Sequence, residues 1–253
     1  MDPSMFHLTP LTWAVVIFCA MVVGFTKSGI PGVGILAVPL MAMVFPPGPS
    51  AGIFLPMLIA GDILAVACYR RDAKWGLVLK PLLWAALGIG AAYLVIKAYH
   101  LNERGRLLGH LIGGIVLGVL ALGEYVGRAR SLDVPRTWWF AAMAGLLGGF
   151  TTMVANAAGP IWIVYLLALR LDKKEFLGTN AWIFLILNTF KAPFSYGLGF
   201  ISADSLWFNL KTLPFIAAGA FLGVRVAKVL PLRAFNLAVK AFAGIAALKL
   251  LFF

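Results

Sequence analysis

The sequence predicts an all-α polytopic membrane protein. It reads as two inverted repeats of about five hydrophobic segments each, the first two of each repeat short and forming a broken hairpin. Three observations predict this. Of 253 residues, 62% are hydrophobic and 12% charged, against roughly 45–50% and 25% in soluble domains. The mean hydropathy of +0.97 excludes disorder, and a soluble fold this apolar would expose more hydrophobic surface than water tolerates. Apolar segments recur along the whole chain, and about ten short-looped spans of ~20 residues would use all of it. Two pairs of short segments are interrupted at matching places in the two halves.

In order, the segments fall at 11–25, 33–45, 51–68, 77–96 and 107–123, then 138–153, 159–169, 176–195, 206–229 and 234–253. Segment 11–25 has no basic region before it, since the first basic residue is Lys27. It is therefore read as a retained span rather than a signal peptide. The first interruption runs Thr26-Lys27-Ser28-Gly29-Ile30-Pro31-Gly32, the second from Thr151 to Pro160. Four segments, 11–25, 33–45, 138–153 and 159–169, are too short to be ordinary spans and pair into two broken hairpins. Gly24-Phe25-Thr26 recurs as Gly149-Phe150-Thr151 at an offset of 125, which also relates Gly34 to Gly159. One residue out of that register, Gly52 matches Gly178 and Asp62 matches Asn188. Asp72-x-x-Trp75 is echoed by Asp204-x-x-Trp207, and Ile112-Gly-Gly-Ile115 by Phe242-Ala-Gly-Ile245. The common order divides the chain into a first repeat at 1–123, a cytoplasmic linker at 124–137 and a second repeat at 138–253.

Loop charge sets the orientation. With the N-terminus outside, the inside loops 69–76, 124–137, 170–175 and 224–233 hold twelve Lys and Arg residues. The outside loops hold three, Lys97, Arg104 and Arg106. Basic residues resist translocation, so this arrangement is favoured. Both termini then lie outside, and five crossings per half insert the second half upside down. The net charge of +12 is mostly this topology signal. No basic stretch is long enough for a nucleic-acid groove, so no nucleic-acid partner is expected. Trp75, Trp138, Trp139 and Trp207 fall at segment ends, as interfacial belts do.

Backbone that leaves helical geometry inside a bilayer is tolerated where protein buries it or where it lines a cavity. Two such breaks in corresponding positions of inverted halves point to a transport site near the midplane, served by alternating access. The second helix of each hairpin is expected to start near Pro31-Gly32 and near Gly159-Pro160. Helix N-termini carry partial positive charge and free N–H donors, and favour anions. Ionisable residues within spans are expensive and default to function. Lys27 lies in the first break, and Lys191 lies three residues after Asn188, on the same helix face. Asp62 occupies the repeat position of Asn188, and His110 sits near the outer end of its segment. Two lysines and two helix N-termini suit a small oxyanion. Lys27, Ser28, Gly29, Gly32, Thr151, Asn156, Gly159, Asn180, Asn188 and Lys191 are the candidate binding residues, with Asp62 a candidate for coupling. Thr26, Thr152 and Thr179 are further donors. Each has a structural alternative. The lysines snorkel to the outer headgroups, Asp62 only pairs with a lysine, Thr and Ser bond back to their own helices, or Asn156 and Asn188 join helices.

Other chemistry is poorly supported. Cys19 and Cys68 lie in apolar segments and read as buried hydrophobes. The three histidines have no ligand spacing, so neither metal nor cofactor is expected. Gly29-x-x-Gly32-x-Gly34 lacks the strand and the Gly-Lys-Ser/Thr of a phosphate loop. Gly219-x-x-x-Gly223 reads as helix packing. No nucleophile–base or metalloprotease motif supports an intramembrane enzyme. A passive anion channel or a scaffold stands as a rival to a carrier, and a homodimer is among the oligomeric states left open.

The residues from Gly24-Phe-Thr-Lys27-Ser-Gly29-Ile-Pro31-Gly32-Val-Gly34 to Pro39 resemble the sulfite exporter TauE/SafE family, also called the TSUP transporters. So do Asn156-Ala-Ala-Gly159-Pro160, Gly178-Thr179-Asn180-Ala-Trp182 and Asn188-x-x-Lys191-x-Pro193. The second break carries Asn-Ala-Ala where several members have consecutive glycines. The resemblance covers nearly the whole chain. It implies a secondary transporter that exports or imports a small anion such as sulfite, a sulfonate or another organic acid. The expected setting is the lipid bilayer of a bacterial inner membrane.

Overall fold

A computed structural model describes residues 3–128, 138–226 and Leu248. The described elements are helices: α1 (Pro10–Ser28), α2 (Ala37–Val44), α3 (Pro47–Tyr69), α4 (Trp75–Ala98), α5 (Gly105–Arg128), α6 (Trp138–Ala155), α7 (Gly159–Ala168), α8 (Lys173–Gly197) and α9 (Ala203–Val226). Short 3-10 turns occupy Pro3–Phe6 and Val33–Leu36. Most of the predicted linker, the predicted segment at 234–253 other than Leu248, and the repeat match at Phe242–Ile245 lie outside the described residues.

Local chemistry sets the helix starts. The Thr9 hydroxyl accepts from the Thr12 N–H at 3.3 Å and Pro10 opens α1, where a missing N–H costs nothing. Asp172 and Glu175 form a reciprocal capping box at the start of α8, which occupies two N–H groups the first turn leaves free. Pro56, Pro81, Pro193 and Pro214 lie within α3, α4, α8 and α9. Neighbouring helices in a membrane bundle can re-satisfy the backbone groups such prolines free.

Two expectations are corrected. Segments 11–25 and 138–153 are not short: α1 has 19 residues and α6 has 18, about 27–29 Å of helix. The apolar run stops at the first polar residue, but the helix continues through Thr26, Lys27 and Ser28 and through Thr151 and Thr152. The side chains of Thr26, Lys27, Thr151 and Thr152 find partners inside the protein, so hydrophobicity ends before hydrogen bonding does. Only α2, with 8 residues, and α7, with 10, are short, at roughly 12–15 Å. The breaks are correspondingly narrower, at 29–32 and 156–158. α7 begins at Gly159 as expected, whereas a 3-10 turn delays α2 to Ala37. The second correction concerns the cysteines. Cys19 is buried, but Cys68 is exposed, because it stands on the outward side of the last turn of α3.

Five described helices, α1, α3, α4, α6 and α9, are long and apolar enough to cross a membrane. Much of the outer surface is apolar. Leu79, Leu83, Leu87 and Leu94 are exposed along α4, a face that water would not tolerate and acyl chains would. Trp138 and Trp207, near helix starts, are 75% and 70% exposed.

The packing is closest between α4 and α6, between α1 and α9, and between α3 and α8. Small residues set the first two. A Cβ on Gly219 would run into the Met21 carbonyl, and one on Gly88 into the Leu146 carbonyl. Met21 and Leu146 stand at the repeat offset of 125. Gly223 meets Phe25 in the same way, so Gly219-x-x-x-Gly223 is a close-packing motif. The α3–α8 crossing brings the middles of both halves together and carries the polar core.

Candidate functional site

Each break is held open by side chains close to it in sequence. In the first, Gly32 has φ of +100°, a left-handed conformation that glycine adopts without strain. The Thr26 hydroxyl donates to the Ile30 carbonyl at 3.0 Å and accepts from the Gly34 N–H at 3.2 Å. One residue on the last turn of α1 thus serves two backbone groups freed by the break. In the second, Asn156 has φ of +52°, and asparagine is among the side chains that tolerate this region best. Its backbone N–H returns to the Thr152 carbonyl at 3.1 Å, and its Nδ2 donates to the Ala51 carbonyl of α3 at 3.0 Å.

The two breaks face one cavity of about 50 Å³, room for a few water molecules or one small ion. Thr26, Lys27, Pro31 and Gly32 line it from the first break. Thr152, Asn156, Gly159 and Pro160 line it from the second, and Asn180, Phe184 and Asn188 from α8. These last three are spaced four apart, so they share one helix face. Phe54 and Leu58 of α3, with Ile35 and Ile163, supply apolar wall.

Three buried ionisable groups surround this space. Lys27 Nζ lies 2.7 Å from Asp62 Oδ1 and 3.9 Å from the centroid of the Phe184 ring, an ion pair backed by a cation–π contact. Asn188 Nδ2 donates to the other carboxylate oxygen, Asp62 Oδ2, at 2.6 Å. Lys191 Nζ donates to the Thr152 carbonyl at 3.0 Å, to Thr152 Oγ1 at 2.8 Å and to Asn156 Oδ1 at 2.5 Å. Three acceptors match the three N–H bonds of an ammonium. Lys27 belongs to the last turn of α1, and the Lys191 ammonium reaches from α8 to the last turn of α6. At both places a cation offsets the partial negative charge of the helix macrodipole. With all three groups ionised, two cations face one carboxylate. The positive excess is therefore one charge rather than two.

Of the sequence-derived candidates, Lys27, Gly32, Asn156, Gly159, Asn180 and Asn188 line the cavity. Lys191 stands behind Asn156, and Asp62 behind Lys27 and Asn188. Three lie apart. The Ser28 carbonyl accepts from the Tyr69 hydroxyl at 3.0 Å, Gly29 packs on the backbone of Gly223, and the Thr151 hydroxyl bonds back to Leu147 and Gly148. Neither lysine snorkels: Lys27 is 8% exposed and Lys191 1%. Among the described residues no three His, Cys, Asp or Glu side chains converge on a metal-sized site. The cavity offers amides, hydroxyls, one helix N-terminus at Gly159 and an ion-paired ammonium.

The family model for the sulfite exporter TauE/SafE matches residues 16–250, a range that contains both breaks and every buried charge named above. This chain belongs to the TauE/SafE sulfite exporter family. It is therefore an integral membrane protein of a transporter family rather than of an enzyme family. No curated protein and no solved structure matches it.

In this TauE/SafE member the sequence signal missed the apolar part of the site. Phe184 is an aromatic on a helix rich in them, with nothing local to mark it. Its position four residues before Asn188 was the available clue. The division of labour between the lysines was also hidden, because the α1–α3 contact gives Lys27 a carboxylate, whereas the approach of α8 to the end of α6 leaves Lys191 with neutral acceptors.

Proposed function

We propose that the protein is a secondary transporter that exports a small anion, with sulfite, a sulfonate or another organic acid as substrate. The observation that carries this is the single cavity shared by both breaks, walled by Lys27, Asn156, Asn180 and Asn188. Asp62 and Lys191 supply charge from behind. Substrate binds between the hairpin tips, and rocking of one repeat element against the other exposes the site alternately to each side. Space for one small solute suits a carrier better than a channel, which offers a row of sites.

An inverted repeat of 1–123 and 138–253, as expected from the sequence, fits this reading. Exchange of the halves maps the α1–α9 contact onto α6–α4 and leaves α3–α8 unchanged, and these are the closest pairings in the fold. Asp62 and Asn188, at matching repeat positions, are hydrogen-bonded to one another, as residues beside a two-fold pseudo-axis would be. The positive-inside count favours an orientation with the N-terminus outside, and a bacterial inner membrane is the setting that goes with the family. Asp62 is the candidate proton carrier, and a homodimer is compatible with the large apolar surface.

The test is flux of sulfite and short sulfonates in proteoliposomes. Lys27→Ala with Lys191→Ala should lower initial rates at least tenfold in protein that is still folded, and rates at the wild-type level would sink the site assignment. Asp62→Asn should abolish stimulation by an imposed pH gradient if Asp62 carries the proton. Stimulation that survives removes it from that role.

A further inference from the structure

Asn188 is 1% exposed and lines the cavity. Its amide cannot turn over freely. A carboxylate only accepts hydrogen bonds, and Asp62 Oδ2 takes the bond from Nδ2 at 2.6 Å while Lys27 holds Asp62 Oδ1. Asn188 Oδ1 is thereby fixed as the group left over, and it is buried without a hydrogen-bond partner from the protein. Asn180, eight residues earlier on the same face of α8 and 3% exposed, also has a buried Oδ1 without a partner and lines the same cavity. A buried acceptor left unmet is costly, and the cost is recovered only when a donor arrives.

Resting on the transport reading above, we infer that the substrate carries a hydrogen-bond donor as well as its negative charge, and that Asn188 reads that donor. The substrate class is a protonated oxyanion or a hydroxy- or amino-substituted organic anion, not a bare anion. Lys27, Asn180 (through its Nδ2) and the α7 N-terminus at Gly159 are the groups that face the anionic oxygens. Asn188 Oδ1 accepts from the O–H or N–H. An anion of equal charge and shape but with no proton to give leaves Asn188 unpaired and places a lone pair against it. Sites built to hydrogen-bond a hydroxyl reject analogues that lack it far more strongly than apolar pockets reject a missing methylene.

The experiment compares matched pairs in wild-type proteoliposomes: hydrogen sulfite with chlorate, bicarbonate with nitrate, and 2-hydroxyethanesulfonate with ethanesulfonate. Each pair shares its charge and core geometry, and only the first member carries an O–H. The transported pair should favour the hydroxyl-bearing member by about tenfold or more in initial rate. In Asn188→Ala the ratio should fall toward one, chiefly through loss of the hydroxyl-bearing anion. Equal wild-type rates within every transported pair would overturn the inference while leaving anion transport intact. A wild-type ratio retained in Asn188→Ala would overturn the role of that residue. No flux of any of the six anions would overturn the transport reading, and this inference with it. The wild-type comparison decides the matter even where the variant fails to fold.

Discussion

At the residue scale the polar core is a set of mutual obligations. Lys27 and Asp62 are buried together at 2.7 Å, and removal of one partner strands the other as an uncompensated charge. Asp62→Ala should therefore cost about 3–5 kcal/mol, read as thermal unfolding in detergent. Lys27→Met with Asp62→Leu should recover most of that stability but not transport, and a double variant no more stable than the single would refute the pairing argument. The ion pair outside the spans behaves differently. Lys74 Nζ lies 2.5 Å from Glu175 Oε1 and is half exposed. The hydrogen bond and the charge of Glu175 lift the Lys74 ammonium above its ordinary value of 10.5. A raised folded-state value gives stability that is complete below the unfolded value and lost as pH climbs through the folded one. The melting difference between the wild type and Glu175→Gln should thus hold steady from neutral pH to the ordinary lysine value, narrow above it, and shrink with added salt.

Among the helices, close approach depends on which small residue meets which backbone. Gly219 faces the Met21 carbonyl, whereas a Cβ added to Gly90 on α4 would have nothing within 4 Å. Gly219→Ala should cost about 1–3 kcal/mol through overpacking. Gly90→Ala should be neutral or stabilise by up to ~1 kcal/mol, because alanine is the better helix former. Equal effects of the two, measured by the same melting assay, would count against the α1–α9 contact. The sequence marked Gly219-x-x-x-Gly223 as packing but could not tell it from the open glycines of α4 and α5, since a one-dimensional pattern does not say what lies opposite.

For the molecule as a whole, the positive-inside count makes a checkable statement about sidedness. In a Cys68→Ser background, Asp204→Cys lies in the predicted outer loop at 196–205 and Arg71→Cys in the inner loop at 69–76. A membrane-impermeant maleimide should label Asp204→Cys in intact cells and Arg71→Cys only after permeabilisation. The reverse pattern would invert the proposed topology. Both positions are exposed, so access and not burial decides the labelling.

Amino-acid order alone was enough for the membrane class, the helical segments among the described residues, the places of the two breaks and most polar residues around the cavity. Those features follow from short-range physics: span length, the cost of free backbone groups in hydrocarbon, and the rarity of buried charge. It made α1 and α6 too short, because helix propagation depends on hydrogen bonds that the polar residues at their ends complete, not on apolarity alone. The partners needed the folded molecule. Asp62 meets Lys27 and Asn188, Lys191 rests on Thr152 and Asn156, and Ser28, Gly29 and Thr151 stand away from the cavity. Those partners come from α3, α6 and α8, and their chemistry is set by how the helices cross, which no local pattern in one segment encodes.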